Sequence, residues 1–157
     1  MDGGMFIGGS AAAPVFDERS VGGRPLTILL AEDETEIKDL ITEILQEAGF
    51  AVIAVTDGEA AVQAFAKRGD EVDFLLFDLI MPEKNGWEAF RDISQVRPGI
   101  PHLFMSGFMG NVFRQGGMDD SLEATVIGKP FTPANLLAKM ESILRLHLNI
   151  DVRFLPG

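Results

Sequence analysis

The chain has 157 residues, of which 24 are acidic and 13 are basic, so its formal net charge is −11 at pH 7. This length is typical of one domain. The absence of cysteine excludes disulfide bonds, thiolate-ligated metal sites and cysteine nucleophiles. The excess of acid argues against non-specific attraction to nucleic-acid phosphates or anionic lipids. It favours a divalent cation wherever several carboxylates converge.

Residues 1–24 are predicted to form a flexible leader or linker. Six glycines, an alanine run and Pro14 interrupt this stretch, which shows no sustained helical or strand period. It lacks the basic start of a secretory signal, and no window of the chain approaches the roughly 18 uninterrupted apolar residues of a membrane span. We therefore expect a cytoplasmic protein without membrane insertion.

From Leu26 onward, short apolar runs alternate with amphipathic segments. The apolar runs have the length and composition of strands that are covered on both faces. They predict strands at residues 26–31, 50–55, 72–79, 102–106 and 124–127. The strict alternation of strands and helices predicts an α/β fold with a parallel sheet and helices on both faces.

The helices between these strands have recognisable start and stop signals. The first helix has apolar residues at helical spacing and Gly49 at its predicted C′ position. Thr56 and Glu59 predict a capping box for the second helix, and the third, at residues 86–96, is stopped by Pro98. The last helix has Thr132 as its predicted N-cap, and His147 is placed beyond it. A fourth helix is predicted only as a short segment at residues 111–115. The first helix takes its apolar stripe from Ile37, Leu40, Ile41, Ile44, Leu45 and Ala48.

Polar residues follow several of the predicted strands, at the edge where an open α/β sheet binds its ligands. Glu32 and Asp33 follow the first strand, Asp78 and Ser106 end the third and fourth, and Lys129 follows the fifth. Three of them have an ordinary structural interpretation: Asp33 and Glu36 form a passable capping box, Ser106 begins a turn, and Lys129 is a solvated charge. Asp78 has none, because it ends a strand predicted to be buried, where an unpaired carboxylate is costly. Their coincidence at one edge favours a functional site.

The chemistry of this set is specific. Neighbouring carboxylates repel one another unless a hard cation lies between them, and Mg²⁺ binds one or two such groups while it keeps positions for water and phosphate. Asp78 can then act as a carboxylate nucleophile towards phosphorus. Lys129 and the Ser106 hydroxyl would contact the phosphoryl oxygens.

The chain resembles the receiver domain of two-component response regulators over residues 26–146. The motifs that carry the resemblance are Glu32-Asp33, Asp78-Leu79-Ile80-Met81-Pro82 with Gly86, Ser106-Gly107 and Lys129-Pro130-Phe131. The resemblance implies a doubly wound five-stranded sheet of flavodoxin-like order 2-1-3-4-5. It also implies domain bounds of 25–148, with a C-terminal tail at 149–157.

By the same resemblance, Asp78 is the phosphoacceptor and contributes to a Mg²⁺ site. Asp33 is a direct ligand, Glu32 an outer acid that acts through water, and the backbone carbonyl of Ile80 a further ligand. Ser106 and Lys129 respond to the phosphoryl group. The Lys129-Pro130 peptide bond is expected to be cis, an isomer that X-Pro bonds adopt at little cost.

The partners implied are a histidine kinase or phosphotransfer domain and a downstream protein. Such a domain phosphorylates and dephosphorylates itself rather than acting on a separate substrate as an enzyme does. We expect no direct nucleic-acid binding, because no DNA-binding module follows the last helix, and homodimerisation is left open. The leader is compatible with a stand-alone regulator and with the C-terminal receiver of a hybrid histidine kinase.

The sequence departs from the family at Val126, where an aromatic switch residue is common. Three alternatives share features with this chain. A flavodoxin-like FMN carrier would have to bind phosphate beside Glu32-Asp33-Glu34, which repel it. Aspartate-nucleophile phosphatases have Asp-x-Asp after the first strand, whereas Thr35 stands two residues after Asp33. The third alternative is a protein-interaction module that keeps the fold and works without phosphorylation.

Overall fold

We describe a computed structural model, which covers residues 20–21, 24–107 and 125–147. A short antiparallel pair, β1 (Ser20–Val21) and β2 (Arg24–Pro25), precedes the main sheet and was not predicted from the sequence. The predicted helix at 111–115, the tail at 149–157 and most of the leader lie outside the described residues.

Five parallel strands form the main sheet in the order β4-β3-β5-β6-β7. This is the predicted flavodoxin-like order 2-1-3-4-5, counted from Leu26, and it confirms the fold class. The strands are β3 (Thr27–Ala31), β4 (Ala51–Val55), β5 (Phe74–Asp78), β6 (His102–Ser106) and β7 (Val126–Gly128).

The helices of the described residues are α1 (Thr35–Glu47), α2 (Gly58–Arg68), α3 (Gly86–Val96) and α4 (Pro133–His147), with a 3₁₀ turn at Gly69–Glu71. None of these helices is long and apolar enough to cross a membrane. The bounds of α3 agree with the prediction. The prediction that His147 lies beyond the last helix is wrong, because α4 includes it.

Local hydrogen bonds explain where the helices begin. The Thr132 hydroxyl accepts a hydrogen bond from the Asn135 amide at 3.0 Å, which confirms Thr132 as the N-cap of α4. The prediction that Thr56 caps α2 is wrong: the Asp57 carboxylate accepts the Ala60 amide at 2.7 Å instead. Both residue types are good caps, so the sequence alone did not distinguish these neighbours.

Helix α1 shows how the apolar stripe positions the first loop of the site. Ile41 and Leu45 are buried, and Gly49, with a φ of 102°, takes the left-handed conformation that ends the helix. Leu40, expected on the same stripe, is 56% exposed. The N-cap residue is Glu34, with no side-chain capping bond. The Asp33–Glu36 capping box is therefore not formed.

Side chains alternate across the sheet and divide the core into two layers. Leu29 and Phe77 belong to the layer under α2 and α3, whereas Ile28 and Leu76 belong to the layer under α1 and α4. Every residue of β3 and β5 is buried. Such strands have no solvated face, so a buried carboxylate within one of them, such as Asp78, requires polar partners at the sheet edge.

Candidate metal-binding site

The parallel strands bring the predicted site residues to the carboxyl edge of the sheet. Glu32 follows β3, which pairs with β5, and Asp78 is the last residue of β5. Ser106 ends β6 and stands opposite Gly128 of β7, so Lys129 comes directly after the last paired residue. The edge arrangement expected from the sequence is therefore present in the structure.

Three carboxylates form the centre of this edge. One oxygen each of Glu32, Asp33 and Asp78 lie within 4.8 Å of one another. Glu32 is fully buried and Asp78 is 5% exposed, whereas Asp33 is exposed to solvent. Like charges at this separation repel strongly when they are shielded from water. The cluster thus requires a cationic partner.

Lys129 supplies part of that charge. Its ammonium lies 2.7 Å from Glu32 Oε1 and 2.9 Å from Asp78 Oδ2. Burial lowers the pKa of Lys129, but the hydrogen bonds and charges of the two carboxylates outweigh burial and raise the pKa above its ordinary value. The ammonium is therefore held in its charged form between the two buried acids.

Backbone amides complete the hydrogen bonding of the two buried carboxylates. The Glu34 amide donates to Glu32 Oε2 at 3.1 Å, and the Ile80 amide donates to Asp78 Oδ1 at 3.1 Å. Each carboxylate thus has one oxygen on Lys129 and the other on an amide two residues further along the chain. This pattern fixes the orientation of both groups.

The other predicted residues end, follow or begin neighbouring strands of the sheet. Ser106 is fully buried, and its backbone carbonyl accepts the Lys129 amide at 2.8 Å. Ile80 is 60% exposed, two residues beyond Asp78. The Lys129-Pro130 peptide bond is cis, as expected. Val126, at the position where the family often has an aromatic residue, is buried in the core layer that contains Phe104.

The donor set fits a hard divalent cation. Three carboxylates and one ammonium leave two negative charges unbalanced when all are ionised. All the side-chain donors are oxygens, which Mg²⁺ and Ca²⁺ prefer, and the exposed Asp33 leaves the cluster open to solvent on one side. Glu32, Asp33 and Asp78 are therefore the side chains that could hold such an ion.

Lys84, in the loop that follows β5, and Gly58, the first residue of α2, make contacts that were not identified from the sequence. The Lys84 ammonium pairs with Asp92 of α3 and lies 3.8 Å from Glu59 of α2. Its backbone carbonyl lies against Gly58. Neither residue belongs to a recognisable motif, and only the three-dimensional arrangement relates them to the edge of the sheet.

Comparisons with known proteins give a consistent family match. A family model described as the response regulator receiver domain matches residues 28–141. The chain is 34% identical over 125 residues to the uncharacterized transcriptional regulatory protein YbdJ of Bacillus subtilis. The aligned residues cover 76% of this chain and 51% of YbdJ. The chain is 30% identical over 117 residues to the response regulator receiver protein CpdR of Brucella abortus, which covers 74% of this chain and 95% of CpdR.

A solved structure shows the same fold. A response regulator receiver protein from Sinorhizobium medicae superimposes with a TM-score of 0.68 at 29% identity, over 78% of this chain and 96% of that one. The chain spans about half the length of YbdJ, which is named a transcriptional regulator, and almost the whole length of CpdR. The similarity therefore extends over only part of the longer protein.

Proposed function

Because the chain belongs to the response regulator receiver domain family, we propose that it accepts a phosphoryl group on Asp78 in a two-component phosphorelay. The observation that carries the proposal is the convergence of Glu32, Asp33 and Asp78 with the Lys129 ammonium at one edge of the sheet. This arrangement provides a nucleophile, a site for a cation and a positive group that senses charge.

In the proposed reaction, an oxygen of Asp78 attacks the phosphorus of a phosphohistidine on a histidine kinase or phosphotransfer domain. A P–O bond forms, the P–N bond breaks, and the imidazole nitrogen leaves with the electron pair and takes up a proton. The product is an aspartyl phosphate. The Ile80 amide holds Asp78 Oδ1 at 3.1 Å, which restricts the carboxylate to one orientation before the attack.

Mg²⁺ is the proposed cofactor, and when bound it would offset the negative charge of the acids and of the incoming phosphoryl group. Asp33 and Asp78 are the proposed direct side-chain ligands, Glu32 acts through water, and the Ile80 carbonyl is a further proposed ligand. Because Glu32 is fully buried and already bonded to Lys129 and to the Glu34 amide, the assignment of Glu32 to an outer position is consistent with its contacts.

Lys129 and Ser106 are proposed to respond to the phosphoryl group. The two residues are joined by the hydrogen bond from the Lys129 amide to the Ser106 carbonyl, so a displacement of either residue affects the other. A phosphoryl group adds charge and acceptor oxygens next to Asp78. The resulting change in the Lys129 contacts would shift a conformational equilibrium that a downstream protein partner recognises.

The location of the domain in the cell and its mode of action are part of the proposal. We propose a cytoplasmic protein that acts through protein contacts rather than direct nucleic-acid binding, either as a stand-alone regulator or as the receiver of a hybrid histidine kinase. The proposal predicts that the isolated domain is sufficient for phosphoryl acceptance, because the acids and Lys129 all come from this chain.

Treatment with acetyl phosphate and Mg²⁺, followed by mass spectrometry of the intact protein and of its peptides, tests the proposal. We expect one phosphoryl group on the peptide that contains Asp78, and none in the Asp78→Asn variant. Asp39→Asn, an exposed acid on α1, is the matched control and should be labelled like the parent. Undiminished labelling of Asp78→Asn would refute the mechanism, and an unlabelled parent would favour the phosphorylation-independent interaction module.

A further inference from the structure

The loop between β5 and α3, residues 79–85, connects the proposed phosphoacceptor to the next helix. This loop contains Ile80, whose amide bonds Asp78 Oδ1. At its far end, the Gly86 amide donates to the Leu79 carbonyl at 3.3 Å. The position of the loop therefore decides where the Ile80 backbone lies relative to the Asp78 carboxylate.

A close backbone contact joins this loop to α2. A Cβ atom on Gly58, the first residue of α2, would lie 2.2 Å from the Lys84 carbonyl oxygen and 2.8 Å from its carbon. Glycine is a poor helix residue, and Gly58 does not have the positive φ that would otherwise favour it. The absence of a side chain at Gly58 thus permits the loop to lie directly against the start of α2.

Polar contacts of the Lys84 side chain join the same segment to α2 and α3. The Lys84 ammonium pairs with Asp92 and lies 3.8 Å from Glu59. The hydrogen bond from Lys84 to Asp92 raises the pKa of Lys84, with further contributions from nearby acids. Glu83, directly before Lys84, has a φ of 67°, a conformation that residues with a side chain adopt only where their surroundings hold it.

We propose that Gly58 and Lys84 are positioning residues that hold the 79–85 loop between α2 and α3, and thereby set the geometry of the cation site at Asp78 and Ile80. The inference rests on the proposed function, since it assumes that this edge binds Mg²⁺. Neither residue would contact the ion. They act through the backbone that follows Asp78, in the way that outer contacts orient metal ligands.

The primary test compares the Mg²⁺ affinity of Gly58→Ala with that of Gly69→Ala, measured by isothermal titration calorimetry on the full chain. Gly69 is the matched control, because its Cβ would crowd the Phe65 ring at 3.1 Å near the other end of α2. We expect Mg²⁺ affinity to fall about 10-fold in Gly58→Ala and to stay at the parent value in Gly69→Ala. Equal affinity in folded Gly58→Ala and parent would overturn the role of Gly58.

Lys84→Met gives a second test that leaves the backbone contact in place. We expect weaker Mg²⁺ binding and faster hydrogen exchange at the Ile80 amide, with both restored in Lys84→Arg, which keeps the positive charge. A general loss of stability in Lys84→Met would instead speed hydrogen exchange at amides throughout the sheet and not at Ile80 in particular. Parent-like Mg²⁺ affinity and parent-like exchange at the Ile80 amide in Lys84→Met would overturn the role of Lys84. This test does not depend on whether Gly58→Ala folds.

The two proposals fail in different ways. If the parent binds Mg²⁺ and is labelled on Asp78 while the Gly58 and Lys84 variants match it, only the positioning inference is lost. If the parent itself neither binds Mg²⁺ nor is labelled, the proposed function is lost and the inference falls with it.

Discussion

The ammonium of Lys129 lies 2.9 Å from Oδ2 of Asp78, so the proposed nucleophile is paired with a cation before any phosphoryl group arrives. The opposite oxygen of Asp78 is held by the Ile80 amide. Phosphorylation of either oxygen must disturb one of these bonds. The charge of the new group then competes for the ammonium with Glu32, which is 2.7 Å from it.

Replacement of Lys129 by methionine should separate its structural role from its effect on the cation. The variant leaves Glu32 and Asp78 buried without their shared partner, so we expect its unfolding free energy in EDTA to fall by roughly 1–3 kcal/mol. Mg²⁺ should bind more tightly than to the parent, because a positive charge no longer repels it. Urea denaturation with and without Mg²⁺ measures both effects.

Lys139→Met is the control for this experiment, because Lys139 is a lysine of α4 outside the acid cluster. It should have nearly parent-like stability in EDTA and an unchanged response to Mg²⁺. Equal behaviour of the two methionine variants would contradict the pairing of Lys129 with the acids.

The raised pKa of Lys129 predicts how stability changes in alkaline solution. A group whose pKa is raised on folding contributes stability in full below its unfolded value and loses it as the pH rises through the folded value. The unfolded value is about 10.5. We therefore expect the difference in unfolding free energy between parent and Lys129→Met to be constant from neutral pH to about 10 and to shrink above 10.5. Chemical denaturation at a series of pH values checks this, and a difference that already shrinks between pH 7 and 9 would contradict it.

An ion pair at the opposite end of the sheet offers a test of stability alone. Arg24 contacts both carboxylate oxygens of Asp73 at 2.8 and 3.0 Å, and the Thr27 amide donates to the same group at 2.8 Å. Asp73→Ala removes the acceptor of a buried amide and should cost about 1–3 kcal/mol. Arg24→Ala removes only a partly exposed partner and should cost less than about 1 kcal/mol. Urea denaturation of both variants decides, and the reverse order would mean that the ion pair dominates.

The sequence predicted the sheet because its strands are short apolar runs bounded by turns and helix stops. The bounds of β6 and α3 agree with the prediction, the latter because Pro98 stops the helix. The edge strand β7 was placed at residues 124–127 but spans Val126–Gly128. Among the described strands, β7 pairs only with β6, so its bounds depend on that register, which the apolar pattern does not encode.

The acids and the lysine of the candidate site were predictable from the sequence, whereas the contacts of the loop that follows Asp78 were not. Strand ends place Glu32, Asp78 and Lys129 together through topology, so their order in the chain was sufficient to expect a site. Contacts such as the Lys84 carbonyl against Gly58 depend on how a loop approaches the start of a helix. They follow no spacing rule, and so only the three-dimensional structure identifies them.

Asp33→Ala should weaken Mg²⁺ binding with little effect on stability. The sequence gives Asp33 two interpretations, a helix cap and a metal ligand, but α1 begins at Thr35 with Glu34 as its N-cap and no side-chain capping bond. The side chain is exposed, so its removal should change the unfolding free energy by less than about 0.5 kcal/mol. The proposed direct ligand role predicts a Mg²⁺ affinity at least about 10-fold lower, by calorimetric titration. Asp39→Ala on α1 keeps the same net charge as Asp33→Ala and should bind Mg²⁺ like the parent. An equal loss of Mg²⁺ affinity in both variants would mean that Asp33 acts only through its charge at long range. Unchanged Mg²⁺ affinity in Asp33→Ala would remove Asp33 from the ligand set.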